Sequence, residues 1–438
     1  MATPSSPFGP LHLSCTDTAW LQELVRLLVH EHMLGYEKFV HQDQRLADPM
    51  RWKRNAKRDN LQVYCQHPVQ QRKNSSAGER GLRRGLLRGH QDTDVGSALA
   101  EMPTLLLVGT MKGSLHDVMY GVLNPTADSM RIKSSYVGDK FASCAVLATI
   151  ERPSPSDPFR SHTLKWFEGD HPYIFRPIVK NRDFVFMEAT GIIQQADGGR
   201  VGYHVMHSVT FPGAKTMNGN IRAHMAVCAF YRQQSDGVVE VFTKTTANPG
   251  GHVAPAIAVK YGATALLSAQ NLVDCAHAKK LAWAVATRAR STSTTSSSSS
   301  SSRSGSSSSS SRSGSSSRER RANSGGVCFS CDTSTSLLSR SDTCTLCTRP
   351  ICPACKVKKA LRVVAWTGGV AKHKTNFCGP CTAETMNLDA RALAYEEFGA
   401  DPLAARQSNH RNRLTAHLEG LTASDPNVVV LRPSALSS

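Results

Sequence analysis

Eight of the thirteen cysteines in this 438-residue sequence stand as four Cys-x-x-Cys pairs. Each such turn presents two thiolates from one tight loop, and two turns supply the four ligands that tetrahedral Zn²⁺ requires. Four pairs therefore predict two structural zinc ions. A catalytic zinc keeps one position open for water and usually takes His or carboxylate ligands, and no such ligand set is evident in the sequence. The predicted ligands are Cys328, Cys331, Cys344, Cys347, Cys352, Cys355, Cys378 and Cys381.

The spacing of these pairs resembles that of FYVE zinc fingers. Four residues separate the two middle pairs, and the resemblance covers about residues 327 to 385. RING fingers usually have a histidine in the third ligand pair and a shorter middle gap. The FYVE resemblance implies a cross-brace between two zinc ions. One ion takes Cys328, Cys331, Cys352 and Cys355, and the other takes Cys344, Cys347, Cys378 and Cys381.

Most of the side chains with which FYVE domains bind phosphatidylinositol 3-phosphate are missing here. The basic motif of the family aligns with RSDTCT at 340–345, where only the arginine and the cysteine match and Asp342 repels a phosphate. The remaining basic residues either balance the charge of the eight thiolates or form a weak patch for anionic lipid. The predicted lipid or membrane contacts are Arg340, Arg349, Lys356, Lys358, Lys359 and Arg362.

The chain is strongly basic, with 52 Lys and Arg residues against 34 Asp and Glu residues and a net charge of +18. This excess points to an anionic partner, and we expect a membrane surface and not nucleic acid. The N-terminus lacks the features of a secretory signal, and the most apolar stretch, 257–285, carries too many charges for a bilayer core. We therefore expect a cytoplasmic protein whose cysteines bind metal and do not form disulfides.

Outside the cysteine segment the sequence predicts a mixed α+β fold. Apolar residues at helical spacing predict a helix over 19–40, with Asp17 as its N-cap. Four runs of period-two alternation between 183 and 245, separated by turn residues, predict an antiparallel meander. A long helix from about Pro255 to Val285 follows. A curved sheet under one long helix leaves an apolar space, which is either a ligand cavity or a core.

These elements resemble a START-type lipid-binding domain over about residues 50–286. The resemblance lies in WKRNAKRDNLQVY, GTMKGSLHDVMYGVL, DPFRSHTLKW, NRDFVFMEATG, RVGYHVMHSV and the terminal KKLAW, which look like the START-like domains common in oomycete START/FYVE proteins. It implies a helix-grip fold whose last helix covers a pocket for one lipid or sterol. Glu188, Arg222 and His224 either orient a lipid head group in that pocket or face solvent and pair within the sheet.

The composition divides the chain into five segments. They are an N-terminal helical segment (1–49), the START-like domain (50–286) with a basic loop insertion (70–91), a Ser-rich linker (287–325), the FYVE-type finger (326–385) and a C-terminal helix and tail (386–438). The linker cannot bury enough apolar area to offset the entropy of ordering, so it is predicted to be disordered.

No catalytic motif is apparent: the sequence has no GxSxG elbow, no GxxxxGK[ST] loop and no HExxH pair, so we expect no enzymatic activity. The leading hypothesis is a lipid-binding, membrane-associated protein with a START-like pocket and a zinc-stabilised finger. Peripheral association with endosomal membranes is one option. An alternative is an interaction scaffold whose finger binds a protein such as a small GTPase. A RING-like ubiquitin ligase is the other alternative, and the four-residue middle gap and the missing histidine count against it.

Overall fold

The computed structural model describes residues 7–8, 11–67, 93–139, 141–169, 180–217, 219–295, 327–334, 342–365, 368–399 and 429–431. The predicted basic insertion (70–91) lies outside the described residues. So do 296–325 of the predicted linker, Arg340 and most of the C-terminal tail. In the part of the chain that is described, no helix has both the length and the apolar character needed to cross a membrane.

A ten-stranded sheet, antiparallel except at one short strand, is the centre of the fold. Its strands are β1 (Trp52–Arg58), β2 (Leu61–Gln66), β3 (Leu105–Lys112), β4 (Phe141–Glu151), β5 (Ser161–Gly169), β6 (Arg182–Gln194), β7 (Arg200–Ser208), β8 (Ile221–Arg222), β9 (His224–Ser235) and β10 (Val238–Asn248). They are arranged in the order β1-β2-β3-β10-β9-β7-β6-β5-β4. The predicted meander is confirmed. Its third run, however, splits into β8 and β9, because Arg222 binds Asp183 and β8 pairs in parallel with β6.

Eight α-helices surround this sheet and the cysteine segment in the described residues. They are α1 (Cys15–His41), α2 (Thr93–Ala100), α3 (Leu115–Val122), α4 (Ala127–Val137), α5 (Pro255–Leu267), α6 (Leu272–Thr295), α7 (Gly379–Met386) and α8 (Ala390–Phe398). The prediction of one continuous helix to Val285 is wrong, because a 3₁₀ turn (Ser268–Asn271) separates α5 from α6, and α6 runs on to Thr295. At the break, the Ser268 hydroxyl donates to the Ala265 carbonyl at 2.6 Å and competes with the regular helical pattern.

Helix α1 covers one face of the sheet. Its N-cap is Ser14 and not the predicted Asp17. The Ser14 hydroxyl accepts from the Asp17 amide at 3.0 Å, and the Asp17 carboxylate accepts from the Ser14 amide at 2.9 Å, which together form a capping box. The helical spacing of Leu21, Leu24, Leu28, Leu34 and Phe39 predicts that all five share the apolar face, but Leu34 is 56% exposed. The side chains that α1 buries are Trp20, Leu21, Leu24, Leu28, Tyr36, Phe39 and Val40.

Strand alternation gives the sheet two faces with different partners. The face toward α1 forms one hydrophobic core. It contains the five residues that the period-two alternation of 200–211 predicts on one face, which are Val201, Tyr203, Val205, Val209 and Phe211. The opposite face packs against α3, α5, α6 and α8 in a second core, which includes Leu107, Val241 and Ala276. The predicted helix-grip arrangement, an antiparallel sheet with C-terminal helices laid across it, is therefore confirmed. We call residues 11–295 the sheet unit.

The cysteine segment forms a smaller unit, the cysteine unit (327–386), which packs against the sheet unit. Its strands are β11 (Asp342–Thr343), β12 (Pro350–Ile351), β13 (Val357–Val364) and β14 (Val370–Phe377), and β15 (Val429–Leu431) pairs with β14. Strand β13 contacts α4 and α6, and α7 contacts α6.

Helix α8, in the segment predicted as a helix and tail of unknown role, returns to the sheet unit. It contacts α3 and α6, and its residues Leu393 and Phe398 are buried in the second core. The Tyr120 hydroxyl donates to Glu397 at 2.8 Å, and the Lys279 ammonium lies 3.9 Å from the Tyr120 ring centroid. The sheet unit is thus closed in part by residues that follow the cysteine unit in the sequence.

Replacing Leu21 with alanine is expected to lower the free energy of unfolding by about 2–5 kcal/mol, because this fully buried side chain leaves a cavity when truncated. Leu34→Ala is the matched control. It is the same substitution on the exposed side of the same helix, and a change below about 0.5 kcal/mol is expected. Urea denaturation followed by tryptophan fluorescence measures both variants. Equal losses would contradict the packing of α1 on the sheet.

Candidate functional site

The eight paired cysteines form two groups of four sulfur atoms, and within each group all sulfurs lie within 4.8 Å of one another. The groups are Cys328, Cys331, Cys352 and Cys355, and Cys344, Cys347, Cys378 and Cys381, which is the grouping that the FYVE resemblance implies. Two of the sulfur separations across pairs are 3.7 and 3.8 Å. Sulfurs held about 2.3 Å from a tetrahedral zinc ion lie about 3.8 Å apart. A disulfide requires about 2.05 Å. Both groups therefore fit a tetrahedral metal ion.

Backbone amides support the sulfur atoms of both groups. The Cys352 amide donates to the Cys328 sulfur at 3.3 Å, and the Cys381 amide donates to the Cys378 sulfur at 3.4 Å. Cys378 is also the N-cap of α7, so the positive end of that helix faces the second group. Donors of this kind stabilise thiolates. Four thiolates fill the coordination shell of zinc, so these residues would hold an ion that stabilises the fold and has no catalytic position open.

Two residues of the predicted lipid patch are held by neighbours inside the cysteine unit. The Lys356 ammonium binds the Asp342 carboxylate, which also accepts from the Asn376 amide at 3.2 Å. The Arg349 guanidinium lies 4.0 Å from the centroid of the Phe329 ring. Asp342, at a position where FYVE domains carry a basic side chain for the phosphate, thus serves as an internal partner for a lysine and an asparagine.

The other described members of the patch have different surroundings. The Arg362 guanidinium lies 4.0 Å from the ring centroid of Tyr136, on α4 of the sheet unit. Lys358 and Lys359 are exposed on β13. Arg340 lies outside the described residues. The lipid contact predicted for this patch remains a prediction, and Arg349, Lys358 and Lys359 are the described members with exposed side chains.

A cavity of about 770 Å³ lies between the sheet and the helices α4 and α5. The strand residues that line it alternate with those of the α1-facing core, so the cavity lies on the opposite face of the sheet, next to the second core. Helical spacing along 255–285 predicts one stripe of small or apolar side chains, which consists of Tyr261, Ala265, Ser268, Leu272 and Cys275. All of these except Cys275 line the cavity, and Tyr261 is 73% exposed. The apolar space left open by the sequence is therefore a cavity, and its mouth lies at α5.

One wall of the cavity is a cluster of aromatic rings. Phe167 stacks on Phe141 and on Phe184, with ring centroids 4.7 and 4.6 Å apart, and meets Phe186 edge-on at 5.6 Å. Met206 and Met225 continue this apolar wall. Aromatic and methionine side chains adapt to a flexible apolar ligand, because they offer large area with few hydrogen-bonding groups.

One end of the cavity carries a buried group of charges on neighbouring strands. The Glu188 carboxylate on β6 binds the Lys165 ammonium on β5, and it contacts His204 Nε2 on β7 at 2.6 Å. Lys133 of α4 lies 3.5 Å from the same carboxylate. Lys165 also donates to the side chain of Asn124 at 2.5 Å. The cluster gives a largely apolar cavity one charged end.

Burial and the attraction between opposite charges shift the pKa values of this cluster in opposite directions. Burial lowers the pKa of Lys165, and the Glu188 charge counteracts this only in part. Burial alone would raise the pKa of Glu188, but Lys165, Lys133 and His204 together hold that pKa well below its ordinary value. Burial and the nearby lysines lower the pKa of His204, so its imidazole is neutral near pH 7. Glu188 is therefore an ionised acceptor among donors.

The three residues predicted to orient a head group lie in different places. Glu188 lines the cavity. Arg222 instead binds the fully buried Asp183 at 2.9 Å, and this ion pair explains why the Arg222 side chain lies against the sheet. His224 is not among the cavity-lining residues of the described chain. Lys165 and His204 were missed as partners of Glu188. The signal that could have found them is their position on adjacent strands, each on the face opposite the α1 core.

No family model and no curated protein match the sequence. Similar solved structures include human STARD10, with 10% sequence identity over 61% of this chain and 80% of that chain and a TM-score of 0.36. Human StAR-related lipid transfer protein 5 has 12% identity over 59% and 97%, with a TM-score of 0.38. A STAR-related lipid transfer protein from Xanthomonas axonopodis has 15% identity over 51% and 96%, with a TM-score of 0.33. Identities this low do not transfer a ligand to this chain.

The purified protein is expected to hold two zinc ions, one in each cysteine group. Changing Cys328 and Cys352 together to serine removes two ligands of one group and is expected to leave one ion. Changing Cys328 and Cys344 together removes one ligand from each group and is expected to weaken both sites. Elemental analysis after gel filtration measures the metal content. Pairing of the cysteines in sequence order would give the reverse result for the two double variants.

Proposed function

We propose that this protein is a non-enzymatic lipid-binding protein that takes one lipid into the cavity of the sheet unit. The observation that carries the proposal is the cavity itself, which has apolar walls and one charged end. A volume of about 770 Å³ falls in the range of roughly 300–1,000 Å³ that is usual for small-molecule sites. The resemblance of the sequence to START-type domains supports the same function.

The two ends of the cavity favour a lipid with an apolar body and a small polar head. The aromatic wall would contact the apolar body. At the charged end, the Lys133 ammonium lies beside the Glu188 carboxylate and offers donors to a hydroxyl or carboxyl group, whereas the single N–H of the neutral His204 is donated to Glu188. A large zwitterionic head group would have to bury charges that this cluster cannot match. We therefore expect a sterol or a fatty acid as the ligand class.

Filling the cavity is expected to abolish lipid uptake without unfolding the protein. Val227 lines the cavity and is only half-buried, so Val227→Trp places a large ring in the open space. A loss of about tenfold or more in bound lipid is expected, because overpacking costs about 1–3 kcal/mol at such a site. Protein incubated with mixed lipid vesicles and repurified is analysed by mass spectrometry for co-purifying lipid.

Gln234→Trp, on an exposed position of the same strand, is the control and should leave uptake unchanged. Wild-type protein that carries no lipid after incubation, or equal uptake by Val227→Trp and Gln234→Trp, would contradict a ligand-binding cavity.

Membrane association is proposed through the face that surrounds the cavity mouth. Helix α5 exposes two large apolar side chains there, Ile257 (50%) and Tyr261 (73%). It packs against the edge strand β1, whose Lys53, Arg54, Lys57 and Arg58 are exposed. Apolar groups flanked by cations are complementary to an anionic bilayer, and each cation near such a surface contributes about 1 kcal/mol. A lipid could then pass between membrane and cavity at α5.

Binding to vesicles of phosphatidylcholine with phosphatidylserine is expected to exceed binding to phosphatidylcholine alone and to fall with added salt. Ile257→Asp is expected to weaken it further, because a charge replaces an apolar contact. Leu46→Asp changes a side chain of similar size and exposure (69%) away from α5 and serves as control. Co-sedimentation measures the bound fraction. Equal losses in the two variants would contradict this docking face.

The cysteine unit is proposed to act as a stabilising and protein-contacting module and not as a phosphoinositide reader. The FYVE resemblance aligns Asp342 with the basic motif of that family, and here the Asp342 carboxylate is paired with Lys356. A small-GTPase partner remains the rival function of this unit, and a ubiquitin-ligase role is the weaker one. Pull-down with immobilised GTPases and an in vitro ubiquitin-transfer assay separate these two roles. Cytoplasmic location, with peripheral contact at endosomal membranes, is part of the proposal.

A further inference from the structure

Helix α4 stands between the cavity and the cysteine unit. Four of its residues at helical spacing, Met130, Lys133, Ser134 and Val137, line the cavity. Tyr136, on the same final turn, instead contacts β13 of the cysteine unit. One short helix therefore forms part of the ligand site with one face and part of the contact between the two units with another.

Tyr136 joins α4 to the outer edge of β13. Its hydroxyl donates to the Ala360 carbonyl at 3.2 Å and accepts from the Arg362 amide at 3.1 Å, while the Arg362 guanidinium lies 4.0 Å from the ring centroid. Strand β13 pairs with β14 on its other edge. A free strand edge presents unpaired amides and carbonyls, and here one hydroxyl satisfies one of each. Burial raises the pKa of Tyr136, so the hydroxyl keeps its proton.

The same residue is tied to the break between α5 and α6. The Asn271 side-chain amide donates to the Tyr136 carbonyl at 3.3 Å. Ser268, Ala269 and Leu272 at this break line the cavity. Tyr136 thus connects the cysteine unit to two separate walls of the cavity, which are α4 and the start of α6.

The metal groups determine where β13 lies. The hairpin of β13 and β14 runs between Cys355, in one metal group, and Cys378, in the other. An ion in each group therefore holds the base of the hairpin, where β13 begins and β14 ends. Ile351, Leu361 and Phe377 of the cysteine unit share a hydrophobic core with Cys344 and Cys378, and Leu281 and Val285 of α6 belong to the same core.

We propose that Tyr136 is a positioning residue through which the metal-loaded cysteine unit supports the cavity wall. Metal binding then strengthens ligand binding, and a bound ligand strengthens metal retention by the same factor, because linkage between two sites is reciprocal. The proposal rests on the proposed lipid-binding function, and it adds that the ligand site is complete only when β13 is docked on α4.

The test uses the full-length protein and a dansyl-labelled undecanoic acid as the probe. Chelation of the metal is expected to weaken probe binding by about fivefold or more, and added Zn²⁺ should restore it. Tyr136→Phe, which keeps the ring but loses both hydroxyl bonds, should weaken binding less than Tyr136→Ala. Tyr395→Phe makes the same change on the more exposed Tyr395 of α8 and should have no effect.

The decisive readout is the sensitivity of the probe affinity of Tyr136→Ala to chelation. The variant must still hold two metal ions before the chelator is added. We expect that sensitivity to be lost, whereas a general loss of stability would leave it in place. Unchanged affinity of the wild type after chelation, or full chelator sensitivity in Tyr136→Ala, overturns the proposal.

A protein that binds no probe at all contradicts the proposed lipid function, and hydrogen exchange then tests the wall separately. Chelation is expected to raise amide exchange across α4 (Ala127–Val137) in the wild type and to change little in Tyr136→Ala. Unchanged exchange across α4 in the wild type overturns the support of the wall by the cysteine unit.

Discussion

The relative position of the two units depends on helix α6, because this helix takes part in a hydrophobic core of each unit. Near its start, Leu272, Val273 and Ala276 pack in the core beneath the sheet. Further along, Leu281 and Val285 pack in the core of the cysteine unit. Cores are close-packed and do not deform continuously, so a helix that is buried in both fixes the two units relative to each other. The cavity and the metal groups therefore share a rigid support.

The sequence predicted which strand residues share a face, but it could not decide whether the second face is packed or open. Alternation is a local property, and the stripes on β7 and β9 follow from it directly. The open space depends on what lies opposite, where α5 presents small residues such as Ala258, Gly262 and Ala265 to the cavity. A side-chain carbon at Gly262 would come within 2.9 Å of the Leu105 side chain, so the helix packs closely on the sheet at this position.

The metal groups were predictable from the sequence, whereas the partners of the basic side chains were not, for one physical reason. The two ligands of each Cys-x-x-Cys pair are separated by only two residues, so the sequence itself identifies them as a pair. The FYVE resemblance then implies the cross-brace between the pairs. The partners of basic side chains are set by distant contacts: Arg362 meets Tyr136 from 226 positions away. The helix break at Ser268–Asn271 was missed for the same reason, because one of its hydrogen bonds reaches back to α4.

The charged end of the cavity argues for a binding role, because buried charges are an unfavourable way to stabilise the fold alone. A buried ion pair is often no more stabilising than apolar residues of the same volume. Here Lys165 and Glu188 are both almost fully buried, and Lys133 adds a second cation beside one carboxylate. Two ammonium groups therefore share the one Glu188 carboxylate. A polar ligand head would complete the cluster, and the same head would set the direction in which the ligand lies along the aromatic wall.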